Sequence, residues 1–434
     1  MTRFGPAASR PPRTPQAYQS WGQQHSRRVL LPVLGLVALA VPGLIMLGVI
    51  STNIGVGAVL VGTMAAVLPV ILVVAAFLWV DRWEPEPSRL LLAAFLWGAG
   101  ASVLGAAIVN DTAAVLGEQV LGNGGGDLVG TVISAPIAEE AFKGAFLIGL
   151  LWLRRREFDG VVDGIVYSGL VAAGFAFTEN ILYFGRAFAT DGLVGEGGSV
   201  VVVFMIRGVL SPFAHPVFTA MIGIAVGLAV RRRNPFGWVL MSLVGYIPAV
   251  ALHALWNASA GLGFFPSFYA VIMVPLFSGL IALVLWQRRR EQRVVAGQLA
   301  RFASAGWIAP TEVPLLASLA GRRGWRSEVR RRAGERAAGA VRDYQNAVTE
   351  LAFLSHRMQR GTVGSETGRW HHDTLAALMA ARNRAVRAPQ ALSSVSLLEP
   401  ASSSSVSLLE PASSSWHSVG EAAHLERREP LQQG

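Results

Sequence analysis

Six ionisable side chains lie inside stretches of sequence that are otherwise long and apolar. An ionisable group at the centre of a bilayer costs about 2.5 to 3.5 kcal/mol even on a lenient insertion scale, so it usually marks a functional site. They are Glu139, Glu140, Lys143, Glu179, His215 and His253, with Asn180, Arg207 and Asn257 as polar neighbours. Carboxylates and imidazoles activate water and bind metal ions, so hydrolysis is the first chemistry to consider.

The rest of the composition narrows this chemistry. The chain has no cysteine, which excludes a thiol nucleophile, thiolate metal ligands and disulfide bonds. Lys143 is the only lysine among 37 lysine and arginine residues, so an ammonium group is retained at a position inside an apolar stretch. A hydrolytic site here must therefore use carboxylate, imidazole or hydroxyl groups.

Each of these groups also has a purely structural explanation. Glu139 and Lys143 stand four residues apart in the favoured order for a helical ion pair, but this pair leaves Glu140, about 100° around the helix, without a partner. Other possible pairs are His253 with Asn257, and Glu179 with Arg207 or Arg186. Because four successive apolar stretches all carry such groups, a shared site is the better explanation than four separate packing arrangements.

The chain as a whole has the composition of an integral membrane protein. Of its residues 52% are hydrophobic and 15% charged, with a mean hydropathy of +0.46. A helix needs roughly 20 apolar residues to cross about 30 Å of hydrocarbon. The sequence predicts an all-α protein with about eight transmembrane helices, at residues 30–50, 57–80, 90–109, 127–153, 161–184, 199–230, 236–259 and 267–287.

The sixth stretch is too long for one straight helix. Pro212 and Pro216 lie inside it, and proline removes a helical hydrogen bond, so we expect a kinked or broken helix there. At about 1.5 Å per residue, Glu139 lies about 18 Å below the outer end of its span. Glu179 and His253 fall within about 10 Å of the outer ends of theirs. A polar cluster in the outer half of the bilayer is therefore geometrically reasonable.

Basic residues fall in alternate loops and predict the orientation. The basic segments are the N-terminal tail with Arg27 and Arg28, residues 81–89, Arg154 to Arg156, Arg231 to Arg233, and Arg288 to Arg290. The opposite loops carry Asp111, Glu118, Asp127, Asp191 and Glu196 against the single Arg186. Both termini are thus expected in the cytoplasm. The net charge of +10 follows from this topology, so nucleic-acid binding is not expected.

Four regions are predicted along the chain. Residues 1–29 lack an apolar signal core and are expected to form a disordered cytoplasmic tail, followed by the membrane domain at 30–287. Residues 288–390 are Arg-rich, and Tyr344, Val348, Leu351, Ser355 and Met358 keep helical spacing. This short cytoplasmic helical region could bind anionic lipid or a partner, or it could simply be a solvated basic segment. Residues 391–434 include an 11-residue serine-rich tandem repeat and are expected to be a disordered tail.

Four motifs in order resemble those of the PrsW family of intramembrane proteases, relatives of the wider CAAX-protease superfamily. Glu139 to Lys143 reads EEAFK and resembles the EExxK motif; Phe175 to Asn180 reads FAFTEN and resembles FxxxEN. His215 and the segment HALWN, from His253 to Asn257, are similar to the two histidine motifs, and DRWEPEP at 81–87 to the acidic, proline-containing loop. Lys143 and Glu179 depart from the EExxxR and FxxxH of the superfamily, which makes prenyl-protein processing less expected.

The resemblance implies hydrolysis of a peptide bond of a single-span or otherwise membrane-anchored protein, such as an anti-sigma-factor-like regulator, in a bacterial cell membrane. It implies Glu139 as the base that activates water, Glu140 as its support, Lys143 as the compensating charge and Asn257 as an oxyanion or orienting donor. Asn180 and Arg207 are further candidates.

His215 and His253 then have two alternative roles. They bind a divalent metal, zinc being the best fit, with Glu179 as third ligand, or they donate hydrogen bonds in a metal-free glutamic protease. Two histidines and a carboxylate fit zinc, but the sequence contains no HExxH motif.

Two other classes of protein remain alternatives at this point. A proton- or ion-coupled transporter could use the same carboxylates and histidines as a relay, although transporters commonly have related halves and no second copy of these motifs is present. A catalytically inactive membrane scaffold could bind other proteins through its cytoplasmic tail. Loss of cleavage in a Glu139 variant would separate the protease from both.

Overall fold

The computed structural model describes residues 19–83, 85–122, 124–154, 158, 160–194, 199–230, 235–360 and 367–386, with side chains from residue 33 onwards except at 235, 367 and 369. All regular secondary structure in these ranges is helical. The predicted serine-rich tail at 391–434, most of the N-terminal tail, Glu196, Arg155, Arg156 and Arg231 to Arg233 lie outside them. The first helix already begins at Gln19, so residues 19–29 are helical where a disordered tail was expected.

Seven helices in this part of the chain are long and apolar enough to cross a membrane, judged by length and composition. They are Val33–Ile54, Val56–Val80, Ser88–Leu121, Val161–Asp191, Val200–Ala229, Phe236–Gly261 and Phe265–Ser304. With residues 125–153 counted as the fourth, they are called the first to eighth spans in chain order. Most of their large exposed side chains are apolar, as contact with lipid requires. The predicted all-α membrane fold is confirmed.

The fourth span is built from three helical segments. It begins with a short helix at Gly125–Asp127, continues through a π-helical segment at Leu128–Ser134 and ends as the α-helix Ala135–Leu153. Glu139, Glu140 and Lys143 lie in that last part, so three charges fall within five residues of the span. All three are buried inside the protein, which is how such a helix can lie among membrane spans.

The fifth span is the central helix of the bundle. Most of its residues are buried, and glycines allow neighbouring backbones to approach it closely. A Cβ atom on Gly164 would lie 2.0 Å from the carbonyl oxygen of Gly223, and one on Gly98 would lie 1.8 Å from that of Val171. The helix extends to Asp191, beyond the predicted end at 184, so Glu179 lies about 18 Å from its outer end and not within 10 Å. Glu179 is therefore deep enough to meet Glu139.

The sixth span is broken where the prolines predicted. Its first part, Val200–Phe204, continues into a π-helical segment, Met205–Leu210, and a new helix, Ala214–Ala229, follows after a turn that contains Pro212. Pro216 lies in the first turn of the new helix, where proline is tolerated because its missing N–H would have no partner. The break places His215 at the start of this helix and Arg207 just before the turn.

Several basic loops meet at one end of the bundle, as the alternation of charge predicts. The Tyr167 hydroxyl donates a hydrogen bond of 2.8 Å to Glu86 in the loop between the second and third spans. Arg288, in the cytoplasmic part of the eighth span, donates a hydrogen bond of 2.6 Å to the Trp79 carbonyl at the end of the second span and lies over the Trp79 ring. The second, fifth and eighth spans therefore share the end assigned to the cytoplasm.

The region after the eighth span is more extensively folded than predicted. The helix of that span continues to Ser304 and is followed by Val313–Leu316, by Leu319–Gln359, which is kinked at Gly334, and by Thr367–Val386. Together they form the C-terminal helical region, whose core buries Tyr344, Val348 and Leu351, while Met358 is exposed. Trp83 from the loop at 81–87 belongs to the same core, so this region packs against the membrane domain.

Candidate active site

Lys143 lies at the centre of the polar cluster in the membrane domain. Its ammonium nitrogen is fully buried and lies 2.9 Å from Glu140 Oε1, 3.3 Å from Glu139 Oε2 and 3.2 Å from His215 Nδ1. The same nitrogen lies 3.9 Å from the centre of the Phe175 ring. One cation therefore joins the fourth span to the helix Ala214–Ala229.

Glu140 is fully buried and surrounded by hydrogen-bond donors. Its Oε1 lies 3.1 Å from His253 Nδ1 as well as near Lys143, and its Oε2 accepts 2.8 Å from the Thr219 hydroxyl. Glu139 differs, because its side chain retains 9% exposure and its Oε2 lies 3.8 Å from His253 Nε2. Of the two adjacent glutamates, Glu139 is thus the one that retains accessible surface.

A second chain of polar contacts begins at His215. Its Nε2 lies 2.8 Å from Glu179 Oε2, and the same Glu179 oxygen forms an ion pair with Arg207. Arg207 also donates through Nε to Asn180 Oδ1 at 2.7 Å, and its guanidinium carbon lies 3.9 Å from the centre of the Tyr183 ring. Arg207, from the π-helical segment before the break, therefore fixes Glu179 against His215.

These contacts fix the orientation of both imidazoles. His253 faces Glu140 through Nδ1, which suits an Nδ1–H donor and leaves the Nε2 lone pair facing Glu139. His215 Nδ1 accepts a hydrogen bond from the Lys143 ammonium, so the proton of the ring is on Nε2, which donates to Glu179. A carboxylate behind each histidine is the arrangement by which proteins orient imidazole ligands. The Nε2 lone pair of His253 and the Nδ1 lone pair of His215, which accepts from Lys143, are thus the two imidazole lone pairs nearest Glu139.

The aromatic side chains around the cluster hold the imidazoles and separate them from lipid. The rings of Phe218 and His253 are stacked with centroids 5.1 Å apart, and Phe175 lies 5.5 Å from the His215 ring. The two imidazoles themselves are 5.2 Å apart and nearly perpendicular. The polar cluster is therefore enclosed in an apolar shell, where electrostatic interactions are stronger than in water.

The residues of the cluster fit a divalent metal ion. One ligand atom each from Glu139, His215 and His253 lies within 4.8 Å of the others, and all three residues are buried. Two imidazoles and one carboxylate form the ligand set of many catalytic zinc sites. The third member of this group is Glu139 and not Glu179, which contacts the far nitrogen of His215.

A comparison with protein families identifies the membrane domain. The family model described as PrsW family intramembrane metalloprotease matches residues 86–305, half of the chain. The chain belongs to the PrsW family. It is therefore a membrane protease and a multi-pass protein of a bacterial membrane. Family membership also decides against the transporter and scaffold alternatives.

Curated PrsW relatives are distant in sequence, but this chain aligns with most of the length of each. The Protease PrsW of Geobacillus kaustophilus is 28% identical over 189 residues, which are 43% of this chain and 76% of the relative. That of Bacillus subtilis is 29% identical over 182 residues, 42% of this chain and 75% of the relative. No solved structure matches the chain. The family match ends at residue 305, so the helices Leu319–Gln359 and Thr367–Val386 lie beyond it.

The glutamate and histidine motifs meet in the structure, but Asn257 lies apart from the cluster, and the loop at 81–87 contributes Trp83 to the core of the C-terminal helical region. Asn257 points its amide at the Thr131 carbonyl in the π-helical segment of the fourth span, at 2.8 Å, so its amide donor bridges two spans. Its role as an oxyanion donor stays a prediction, as do the roles of the other residues singled out in the sequence.

Two residues of the site were not predicted from the sequence. Thr219 donates to Glu140, and Tyr183 stacks under Arg207. Each stands four residues after a residue that had been singled out, His215 and Glu179 respectively. Residues four apart share one face of a helix, so this spacing was the available signal.

Proposed function

We propose that this PrsW-family protein is an endopeptidase in which Glu139 activates water to cut a peptide bond of a membrane-anchored protein. The observation that carries the proposal is the convergence of the Glu139 carboxylate with the inward-facing nitrogens of His215 and His253. Hydrolysis of an amide needs a base for water and a group that stabilises the oxyanion, and these three side chains can supply both.

The environment of the two glutamates supports different roles for them. Glu140 has no exposed surface and already accepts contacts from Lys143, His253 and Thr219, so both of its oxygens are engaged. Glu139 is partly accessible and has fewer partners. We therefore assign the proton transfer from water to Glu139, and the orientation of His253 to Glu140. Lys143 compensates the charge of both carboxylates.

In this proposal a divalent ion, most simply zinc, would be held by His215, His253 and Glu139. When bound, such an ion polarises water and the substrate carbonyl. A carboxylate that binds through one oxygen keeps the second as a proton acceptor, so ligation and base catalysis are compatible at Glu139. Glu140 and Glu179 hold the two imidazoles with their lone pairs facing inward.

The depth of the site supports a substrate that lies in the membrane. Glu139 stands about 21 Å along the helix from Gly125, the outer start of the fourth span, so the peptide bond must enter the bilayer region to reach it. A single-span protein can place an unwound segment there. The resemblance noted in the sequence implies an anti-sigma-factor-like regulator as one such substrate.

The test is cleavage of a co-expressed single-span reporter protein by the wild type and by Glu139→Gln. We expect Glu139→Gln to lower cleavage by a factor of about 10² to 10⁴, the usual contribution of a general base, with unchanged accumulation in the membrane. Asp127→Asn is the matched control, because it makes the same kind of change at an exposed position of the same span. Normal cleavage by Glu139→Gln at wild-type abundance would refute the assignment.

A metal analysis of the purified protein tests the ion separately. We expect one zinc per chain in the wild type, its loss in His253→Ala, and its retention in His372→Ala, an exposed histidine of the C-terminal helical region. Full cleavage after removal of all divalent metal by a chelator would instead show that Glu139 works without an ion.

A further inference from the structure

A basic cleft lies at the cytoplasmic end of the eighth span, away from the candidate active site. It has a volume of about 430 Å³ and is formed between the extension of that span and the last turns of the helix Leu319–Gln359. Its charged and aromatic lining consists of Trp286, Arg290, Arg293, Arg301, His356 and Arg360. None of the described residues that line it is Asp or Glu, so the cleft has one sign of charge and attracts anions.

The cleft is a built part of the fold and not a gap between mobile side chains. Gln298 on one helix and Gln359 on the other exchange two amide hydrogen bonds of 3.1 Å each across it. Val295 and Leu299, on the opposite face of the helix that carries Gln298, are fully buried in the core of the C-terminal helical region. Packing on one side and the paired amides on the other therefore set the separation of the two helices.

The position of the cleft matches the headgroup layer of the inner leaflet. Trp286 ends the apolar part of the eighth span and is 52% exposed, as expected of a tryptophan at a membrane interface. Arg290 and Arg293 follow about 6 Å and 10 Å further along the helix. The polar layer on each side of a bilayer is about 5 to 8 Å thick, so Arg290 stands at the depth of lipid phosphates and Arg293 just beyond it, within reach of its long side chain.

We propose that this cleft binds the phosphate group of an anionic phospholipid of the cytoplasmic leaflet. Guanidinium groups match phosphate oxygens with paired hydrogen bonds, and Trp286 beside Arg290 gives the glycerol and upper acyl chain an apolar surface. A zwitterionic lipid brings its own ammonium into a site that already carries four arginines, so it binds more weakly. A soluble phosphate lacks the apolar part that Trp286 would contact.

Binding of lipid here would connect the C-terminal helical region to the membrane surface. The cleft is lined on one side by the helix of the eighth span and on the other by the end of the helix Leu319–Gln359, so a lipid bound in it contacts both helices. The same region already packs on the loop of Trp83. The proposal is independent of the catalytic assignment, because none of the residues that line the cleft belongs to the candidate active site.

The experiment measures lipid retained by the purified full-length chain with native mass spectrometry, after equilibration with equal amounts of phosphatidylglycerol and phosphatidylcholine. The wild type should retain phosphatidylglycerol preferentially. Each arginine near a membrane surface contributes about fivefold to binding of anionic lipid, so Arg293→Gln should lose about fivefold and the triple variant R290Q/R293Q/R301Q on the order of 100-fold. The matched control R336Q/R342Q/R384Q removes three exposed arginines that do not line the cleft and should bind as the wild type does.

Three results would overturn the proposal. They are equal retention of the two lipids by the wild type, an equal loss in the control variant, and displacement of the lipid by an excess of inorganic phosphate. Unfolding of each variant is followed in parallel, and because Arg293 is exposed, its single substitution keeps the measurement decisive if the triple variant is unstable.

Discussion

Replacement of Lys143 by methionine should destabilise the protein more than any other single change in the polar cluster. The ammonium nitrogen is fully buried, 2.9 Å from a Glu140 oxygen and 3.3 Å from a Glu139 oxygen. At an effective dielectric constant of about 20, a pair of unit charges at such distances attracts by about 5 to 6 kcal/mol. Part of this attraction only offsets the cost of removing the charges from water.

The net effect follows from what the substitution leaves behind. Removing one partner of a buried ion pair typically costs about 3 to 5 kcal/mol, because the other charge stays buried without compensation. Lys143→Met leaves two such carboxylates. A cost of 3 kcal/mol lowers the unfolding temperature by roughly 6 °C or more for a domain of this size. We therefore expect a clear shift in thermal unfolding, followed by tryptophan fluorescence in detergent.

A double-mutant cycle distinguishes charge compensation from simple loss of packing. If Lys143 mainly neutralises the glutamates, K143M/E140Q should be less destabilised than the sum of the two single changes by more than about 1 kcal/mol. Glu140→Gln can keep the hydrogen bond from Thr219, so it removes mainly the charge. Wild-type thermal stability of Lys143→Met, or strictly additive effects in the cycle, would refute the reasoning.

Two further predictions concern the elements on either side of the cluster. Arg207→Gln should lower cleavage by about 10-fold to 100-fold and reduce the zinc content in parallel, because Glu179 then no longer holds His215. Arg207→Lys should be intermediate. Unchanged activity and metal content would show that the ion pair is only structural. Outside the spans, burial raises the pKa of the Asp81 carboxyl from 3.8 to about 7, against an opposing hydrogen bond from the Glu86 N–H. A raised carboxyl pKa favours the folded state while the group is protonated, so this stability is present below about pH 4 and is lost as the pH rises through 7. Asp81→Asn should therefore unfold at the same temperature as the wild type at pH 4. At pH 8 it should unfold at a higher temperature, with a free energy of unfolding greater by at most about 4 kcal/mol; equal pH profiles would contradict this.

The sequence predicted those features that depend on composition along one helix. Long apolar runs place the spans, Pro212 places the break in the sixth span, and ionisable residues inside apolar runs mark the site. What the sequence cannot supply is the rotation and depth of each helix relative to its neighbours. That is why Glu179 was considered a metal ligand, whereas the helix orientation directs its oxygen to the far nitrogen of His215.

The C-terminal helical region was underestimated for a related reason. Its helices are rich in arginine, and a basic segment is usually solvated, so their spacing predicted only a short amphipathic helix. The structure buries one face of several helices around Val341, Val348 and Leu351, and adds Trp83 from a loop more than 200 residues earlier in the chain. A core that is completed by such a distant residue has no local signature.

The position of Lys143 explains how one site can combine adjacent glutamates with two imidazoles. Three carboxylates and two basic groups meet there, with a formal charge of −1 when the histidines are neutral: Glu139, Glu140, Glu179, Lys143 and Arg207. The Lys143 ammonium contacts two of the three groups that would ligate an ion, Glu139 and His215. An ion that binds there must compete with the ammonium for both, while Lys143 can keep its shorter contact with Glu140. Because an ammonium on a flexible stem can shift between neighbouring oxygens, lysine suits this position in a way that arginine, with its planar fork, does not.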